Sequence, residues 1–207
     1  MINKQILLII ATIVVTLTLV MIFVSKDEPT RKQNQYLENN LLLKQKLAEH
    51  GISMSSPIRL QTPEDISKYC TLFTNEEKQK DVEYCTSTEL KDDGGRFLGN
   101  IHMVGSSDKV KIVIALIQTD PSMSQIDLVK TVFETAIQSL VCDCWQQEKP
   151  SGFSDVGSWV EGLRQFHLND TKPHSKSKPL VLESKTIQME LTTNKDGYLW
   201  QLFIYAA

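Results

Sequence analysis

Four cysteines are the residues of this chain with the most varied chemistry: Cys70, Cys85, Cys142 and Cys144. Paired cysteines form disulfides, and unpaired ones act as nucleophiles or as ligands of soft metals. An even number of cysteines in an exported domain favours disulfides. The alternative is a set of reduced cysteines buried in the core.

The connectivity of these cysteines is open, because four cysteines allow three pairings. A bond between Cys70 and Cys85 would close a loop of about 15 residues and contribute about 3 kcal/mol to stability on the chain-entropy model. A helix that continued through Trp145 would place Cys144 on its apolar stripe and Cys142 almost opposite. We therefore expect no bond between Cys142 and Cys144.

The segment Cys142-Asp143-Cys144 has neither the usual spacing of zinc ligands nor the C-x-x-C pattern of thiol oxidoreductases. A soft-metal site there would need Cys70 or Cys85 to converge on it. A cysteine nucleophile paired with His102 or His167 has no supporting local motif. No catalytic residue, cofactor-binding residue or metal ligand is assigned, no cofactor is expected, and the chain is expected to be non-enzymatic.

Two polar features suggest contacts with other molecules. The segment from Lys172 to Pro179 contains Lys172, Lys176 and Lys178 without an acidic residue, and it could dock an anionic partner or lipid headgroups. A solvated loop is the alternative. Asn169 begins an acceptor sequon, which is a glycosylation site only in a glycosylating compartment.

The charge distribution argues against nucleic acid as a partner. Residues 1–54 contain six Lys/Arg against four Asp/Glu, whereas residues 55–207 contain sixteen against twenty-one. Binding phosphates requires a cationic face, and the larger segment is acidic.

An apolar run from Ile6 to Val24 contains nineteen residues without a charge, Gly or Pro. A helix of that length spans roughly 29 Å, close to the hydrocarbon thickness of a bilayer. The run is longer than a signal-peptide core, and no small-x-small cleavage site follows it. The sequence thus predicts a single-pass transmembrane anchor over residues 1–28, an uncleaved signal anchor, with the following domain extracytoplasmic. The opposite orientation stays open, because the flanking lysines and arginines do not favour export.

Residues 29–56 are interpreted as a polar stalk or linker that contains a short helix, Tyr36–His50. The apolar stripe of this helix includes Tyr36, Leu43 and Leu47. Two heptads are too few to establish a coiled coil, so the stripe predicts either a dimerising stalk or a helix that packs on its own domain.

Residues 57–207 are predicted to form one globular α+β domain with the element order α-α-β-β-α-α-β-β. The predicted sheet is mainly antiparallel because its strands form two hairpins, and helices pack on it. The predicted elements are two helices, from Thr62 and from Thr74 to Cys85; strands Phe97–Val104 and Lys109–Gln118; helices Asp120–Trp145 and Ser154–His167; a loop Leu168–Pro179; and strands Thr186–Leu191 and Tyr198–Tyr205. The last strand is apolar on both faces, so it is either interior or an edge for a partner strand.

The layout predicts a membrane-anchored, non-enzymatic interaction or assembly module that presents its domain to a protein partner beside the bilayer. One alternative is a membrane-tethered sensor-like domain that binds a small molecule. Another is a thiol or metal site at Cys142 and Cys144.

Overall fold

The computed structural model describes residues 34–70 and 82–206. Five α-helices and nine strands follow one another in this part of the chain, in the order α1 Gln35–Ala48, β1 Ser53–Met54, β2 Ile58–Leu60, α2 Pro63–Tyr69, β3 Tyr84–Lys91, β4 Phe97–Gly105, β5 Val110–Thr119, α3 Ile126–Leu140, α4 Trp145–Glu148, α5 Val156–Asn169, β6 His174–Lys176, β7 Leu180–Leu182, β8 Lys185–Asn194 and β9 Gly197–Tyr205. The predicted anchor and the start of the helix predicted from Thr74 lie outside the described residues. Within the described part, none of the helices combines the length and apolarity that crossing a bilayer requires.

The strands form one large antiparallel sheet, which confirms the predicted α+β class. Its order is β1-β3-β4-β5-β9-β8-β6, with β2 also paired to β3 and β7 to β8. Both predicted hairpins are present as β4–β5 and β8–β9. Strand β9 pairs with β5 on one side and β8 on the other, so it is interior and offers no edge to a partner strand.

The three long helices α1, α3 and α5 lie on the same face of the sheet. Alternation along β5 turns Val113, Ala115 and Ile117 toward this helix layer, where they join the main core. Helix α3 buries a stripe against the sheet, formed by Val129, Val132, Phe133, Ala136, Ile137 and Leu140. A second apolar cluster occupies the opposite face, formed by Ile112, Ile114 and Phe203 with Leu116 and Tyr205 at its margin.

Helix α1 packs on the sheet of its own domain, which is one of the two alternatives that its sequence left open. Tyr36, Leu43 and Leu47 are buried, and the Tyr36 hydroxyl donates to the carbonyl oxygen of Ser106 at 2.9 Å. The Thr88 hydroxyl of β3 donates to Oδ1 of Asn40 at 3.1 Å. The compact unit begins at Asn34, so the described part of the stalk, residues 34–56, belongs to the globular domain.

Two segments of the described residues have a different type of secondary structure from the one predicted. Cys85 was placed at the end of a helix, but it lies in β3, where Tyr84, Thr86 and Thr88 are β-formers that turn toward the helix layer. The loop predicted over residues 168–179 contains the last two residues of α5 and strand β6, which pairs with β8. Short edge strands carry too few residues for alternation to reveal them.

Candidate functional site

Cys142 and Cys144 follow the carboxyl end of α3, which stops at Leu140 and not at Trp145 as predicted. The backbone N–H groups of Val141 and Cys142 both donate to the carbonyl oxygen of Ile137, at 2.8 and 3.1 Å, and close the last turn. Val141 is β-branched, which lowers helix propensity, and the acidic side chain of Asp143 opposes the helix dipole at the carboxyl end. Helix α3 therefore ends before Cys142, so it does not hold the side chains of Cys142 and Cys144 on opposite faces.

The two cysteines form a disulfide, so the expectation that they would not bond is wrong. Their Cα atoms lie 5.2 Å apart across a sequence separation of 2. The irregular turn after Leu140 brings onto one side two side chains that a continued helix would have placed on opposite faces. Both cysteines are only partly buried, and Asp143 between them is exposed.

Trp145 and Trp159 attach the chain after Cys144 to helix α5. The carbonyl oxygen of Cys144 accepts the N–H of Gln147 at 3.0 Å, at the start of α4. The indole N–H of Trp145 donates to the carbonyl oxygen of Phe153 at 3.2 Å, and its ring lies 5.6 Å from that of Trp159 in α5. These contacts fix the carboxyl side of the disulfide to the helix layer.

A tight turn between β7 and β8 brings Glu183 to the disulfide. Leu182 and Lys185 pair across it, and Glu183 adopts a left-handed conformation with φ of 51°. The Lys185 ammonium donates to the carbonyl oxygen of Leu140, which ties the turn to the end of α3. No basic residue lies in the last turn of α3, so Lys185 places there the positive charge that this helix end favours.

The sulfurs of Cys142 and Cys144 and a carboxylate oxygen of Glu183 lie within 4.8 Å of one another. We name this group the 142–144–183 cluster. Oxidised, it is a partly buried disulfide beside an exposed carboxylate; reduced, it would offer two thiols and one oxygen donor. Nothing in the spacing of Glu183 from the cysteines pointed to this convergence.

The Cys70–Cys85 disulfide is one of the pairings that the sequence left open, and its surroundings are very different. Its Cα atoms are 6.5 Å apart, and both residues are 0% exposed. Leu60 of β2 pairs with Cys85, so this bond joins the end of α2 to strand β3 beneath a short edge strand. Neither Cys70 nor Cys85 belongs to the 142–144–183 cluster, so the condition that the sequence analysis set for a metal site is not met; the third group beside the two sulfurs is Glu183.

The predicted lysine segment is part strand and part exposed loop. Lys172, Lys176 and Lys178 are all exposed, but Lys176 forms an ion pair with Glu190 at 2.7 Å. The acidic partner comes from β8, which the local sequence could not reveal. Asn169 is exposed at the end of α5.

A buried histidine forms a polar cluster that the sequence did not predict. The Nδ1 and Nε2 atoms of His167 each lie 2.8 Å from a hydroxyl oxygen, of Ser175 and Thr193 respectively. Burial lowers the pKa of His167. Ser175 is itself buried and cannot meet a substrate, so we interpret this cluster as a structural link between α5, β6 and β8. Neither His167 nor His102 belongs to the 142–144–183 cluster, and this removes the proposed cysteine–histidine pairs.

No family model, curated protein or solved structure matches this chain. In the described residues, the fold and the site define an α+β domain with one antiparallel sheet, three long helices on one of its faces, one buried disulfide and one partly buried disulfide.

Proposed function

We propose that this chain is a membrane-tethered, extracytoplasmic domain whose Cys142–Cys144 disulfide exchanges with thiols of other proteins. The observation that carries the proposal is the contrast between the two disulfides: Cys70 and Cys85 are fully buried, whereas Cys142 and Cys144 are only partly buried. A thiolate must reach a sulfur atom to attack it, so the difference in burial favours attack on the Cys142–Cys144 bond.

The energetic cost of reduction also differs between the two bonds. On the chain-entropy model the loop closed by Cys70 and Cys85 stabilises the fold by about 3 kcal/mol, whereas the three-residue loop of Cys142 and Cys144 contributes about 1.5 kcal/mol. A bond that stabilises the fold less is opened at lower cost to the fold. Reduction of Cys142–Cys144 therefore leaves the domain folded.

The exchange proceeds in two balanced steps. A thiolate of the partner attacks one sulfur of the pair, a mixed disulfide forms, and the S–S electron pair leaves with the other cysteine as a thiolate. A second thiol of the partner, as its thiolate, then displaces the first cysteine. The partner leaves as a disulfide, and this chain becomes a dithiol after uptake of the two protons. The partner dithiol is the reductant of the pair.

The oxidised full-length chain, purified in detergent, tests this proposal. We expect it to oxidise a reduced peptide that contains two cysteines, on the order of tenfold faster than the Cys142→Ser/Cys144→Ser variant. Alkylation followed by peptide mapping should show Cys142 and Cys144 reduced while Cys70 and Cys85 remain linked. Equal rates for wild type and variant would refute the proposal.

A stability control separates the two roles. Urea unfolding should show a loss of about 1.5 kcal/mol for Cys142→Ser/Cys144→Ser and about 3 kcal/mol for Cys70→Ser/Cys85→Ser. The first variant is then folded, and its lost exchange cannot be attributed to unfolding.

An interaction module without exchange chemistry is the second candidate, and exposed leucines on α1 favour it. Leu37 and Leu41 are 49% and 58% exposed and lie one turn apart. The occupant that we propose for this stripe is α1 of a second copy, because Glu38 near one end and Lys46 near the other suit antiparallel self-pairing.

Sedimentation velocity of the full-length chain in detergent tests this pairing. Wild type should sediment as a dimer, and Leu37→Gln/Leu41→Gln should shift it to a monomer. Ile58→Gln/Val181→Gln is the matched control, since those side chains are 65% and 68% exposed elsewhere on the domain. A monomeric wild type would exclude dimerisation through α1.

The small-molecule alternative is supported less well. A cleft lined by residues that include Gln35, Val110, Lys185 and Ile204 has a cavity volume of only about 30 Å³. Ligand pockets usually hold roughly 300 to 1,000 Å³ and enclose most of their ligand.

A further inference from the structure

We propose that the reduced form of the 142–144–183 cluster binds Zn²⁺, with Sγ of Cys142, Sγ of Cys144 and a carboxylate oxygen of Glu183 as ligands. The inference rests on the proposed function in one respect, namely that the Cys142–Cys144 bond can be reduced. The three donor atoms come from two different parts of the fold and lie within 4.8 Å of one another.

The donor set suits zinc better than the other common divalent ions. Two thiolates exclude Mg²⁺ and Ca²⁺, which take oxygen ligands, whereas Zn²⁺ binds sulfur and carboxylate oxygen together. Tetrahedral ligands at about 2.3 Å for sulfur and 2.1 Å for oxygen are separated from one another by roughly 3.5 to 3.8 Å. The cluster therefore needs only a short opening of the two sulfurs once their covalent bond is broken.

The backbone allows this opening. Cys142 and Cys144 lie in an irregular turn between α3 and α4, where no helical hydrogen bond spans both residues. Glu183 is held near them because Lys185 fastens the β7–β8 turn to Leu140. Three protein ligands leave a fourth coordination position to solvent, as in zinc sites that exchange ligands.

The binding reaction releases protons. Each thiol loses its proton on binding the metal, so the dithiol and Zn²⁺ give a zinc bis-thiolate and two protons. The disulfide of a partner protein can oxidise the pair by the reverse of the proposed exchange: the partner becomes a dithiol after uptake of two protons, the Cys142–Cys144 bond forms, and the metal loses both sulfur ligands and is released. Zinc binding and disulfide formation are thus mutually exclusive at this cluster.

Zinc titration of the full-length chain in detergent tests the inference. The protein is reduced with a phosphine, and peptide mapping establishes that Cys142 and Cys144 are free while Cys70 and Cys85 remain linked. Wild type should bind one Zn²⁺, and Co²⁺ in its place should give sulfur-to-metal charge-transfer absorption. The oxidised protein should bind neither ion at this site.

Variants assign the ligands. Cys142→Ser or Cys144→Ser should weaken Zn²⁺ binding on the order of a hundredfold, and Glu183→Gln on the order of tenfold. Glu148→Gln, which alters an exposed carboxylate in α4, is the matched control and should bind as wild type does. Equal affinities for wild type, Glu183→Gln and Cys144→Ser would overturn the inference.

The outcomes for zinc and for exchange are distinguishable. The exchange assay is run without metal, so its rate does not depend on zinc binding. A chain that exchanges disulfides but binds no zinc refutes the metal site alone. A chain that binds zinc after phosphine reduction but does not oxidise the peptide refutes the exchange function alone.

Discussion

Trp200→Ala should destabilise the domain by about 3 to 5 kcal/mol, the usual range for truncating a large buried aromatic side chain. Trp200 is 0% exposed at the centre of β9, where it pairs with Ile117 of β5 and Leu191 of β8. Its indole N–H donates to the Thr119 hydroxyl at 3.3 Å. Truncation leaves a cavity and also a buried hydroxyl without this donor, so both terms act in the same direction.

Urea unfolding of three variants separates these contributions. Trp200→Phe keeps most of the apolar contact and loses the hydrogen bond, so it should cost about half as much as Trp200→Ala. Leu199→Ala, on the same strand but on the other face and partly exposed, should cost about 1 kcal/mol. If β9 were an exposed edge strand, Trp200→Ala would cost no more than Leu199→Ala.

Acidification from pH 7.5 to pH 5 should lower the free energy of unfolding by about 2 kcal/mol through His102 alone. Burial lowers the pKa of His102 from 6.5 to about 4. The unfolded chain therefore binds a proton between pH 6.5 and 4 that the folded chain does not. The contribution of His102 to the free energy of unfolding is fully present above pH 6.5 and is lost as the pH falls from 6.5 to 4. By pH 4 the loss reaches about 3 kcal/mol.

The surroundings of His102 explain why it stays neutral. It pairs with Ile114 of β5 and Ser87 of β3, next to the second apolar cluster. Its Nδ1 atom is buried and has no hydrogen-bond partner among the described residues. A charge there would be neither solvated nor paired.

Urea unfolding at a series of pH values checks the assignment. His102→Leu should flatten the stability curve between pH 7.5 and 5 and raise stability at pH 5. His50→Gln, at an exposed position after α1, is the control and should keep the wild-type slope.

The pKa of His167 is lowered too, so a shallow slope should remain in His102→Leu. The carboxyl groups with lowered pKa values, such as Asp92 and Asp155, lower the free energy of unfolding only below about pH 4. An unchanged slope in His102→Leu would contradict this account.

The site was predictable only in part. The sequence favoured at least one disulfide and left the connectivity open; the bond between Cys70 and Cys85 is one that it considered, and it is present. For Cys142 and Cys144 the argument started from a helix that was extended too far. Asp143 near the predicted carboxyl end of that helix was the available signal, because an acidic residue there opposes the helix dipole. Glu183 could not have been found, since it is 39 residues beyond Cys144 and reaches the sulfurs only through the order of the sheet.

The contacts of helix α1 were also predictable only in part. The apolar stripe of α1 was visible in its sequence, but whether it met a second copy or its own sheet depended on the residues opposite it. Asn40 and Thr88, which are joined by a hydrogen bond, show that β3 supplies a polar partner as well as apolar contacts. Because the sequence predicted no strand over Tyr84–Lys91 and placed Cys85 at the end of a helix, the contact of β3 with α1 could not be anticipated.

Local patterns determined what the sequence alone could establish: the α+β class, both hairpins and the apolar face of α3. Each depends on periodicity or on spacing along a short stretch of chain. The tertiary structure alone decided the strand order, the interior place of β9, the packing of α1 on its own sheet and the meeting of Cys142, Cys144 and Glu183. These features join segments far apart in the sequence, and their free energy comes from burial and hydrogen bonds that exist only once the sheet has formed.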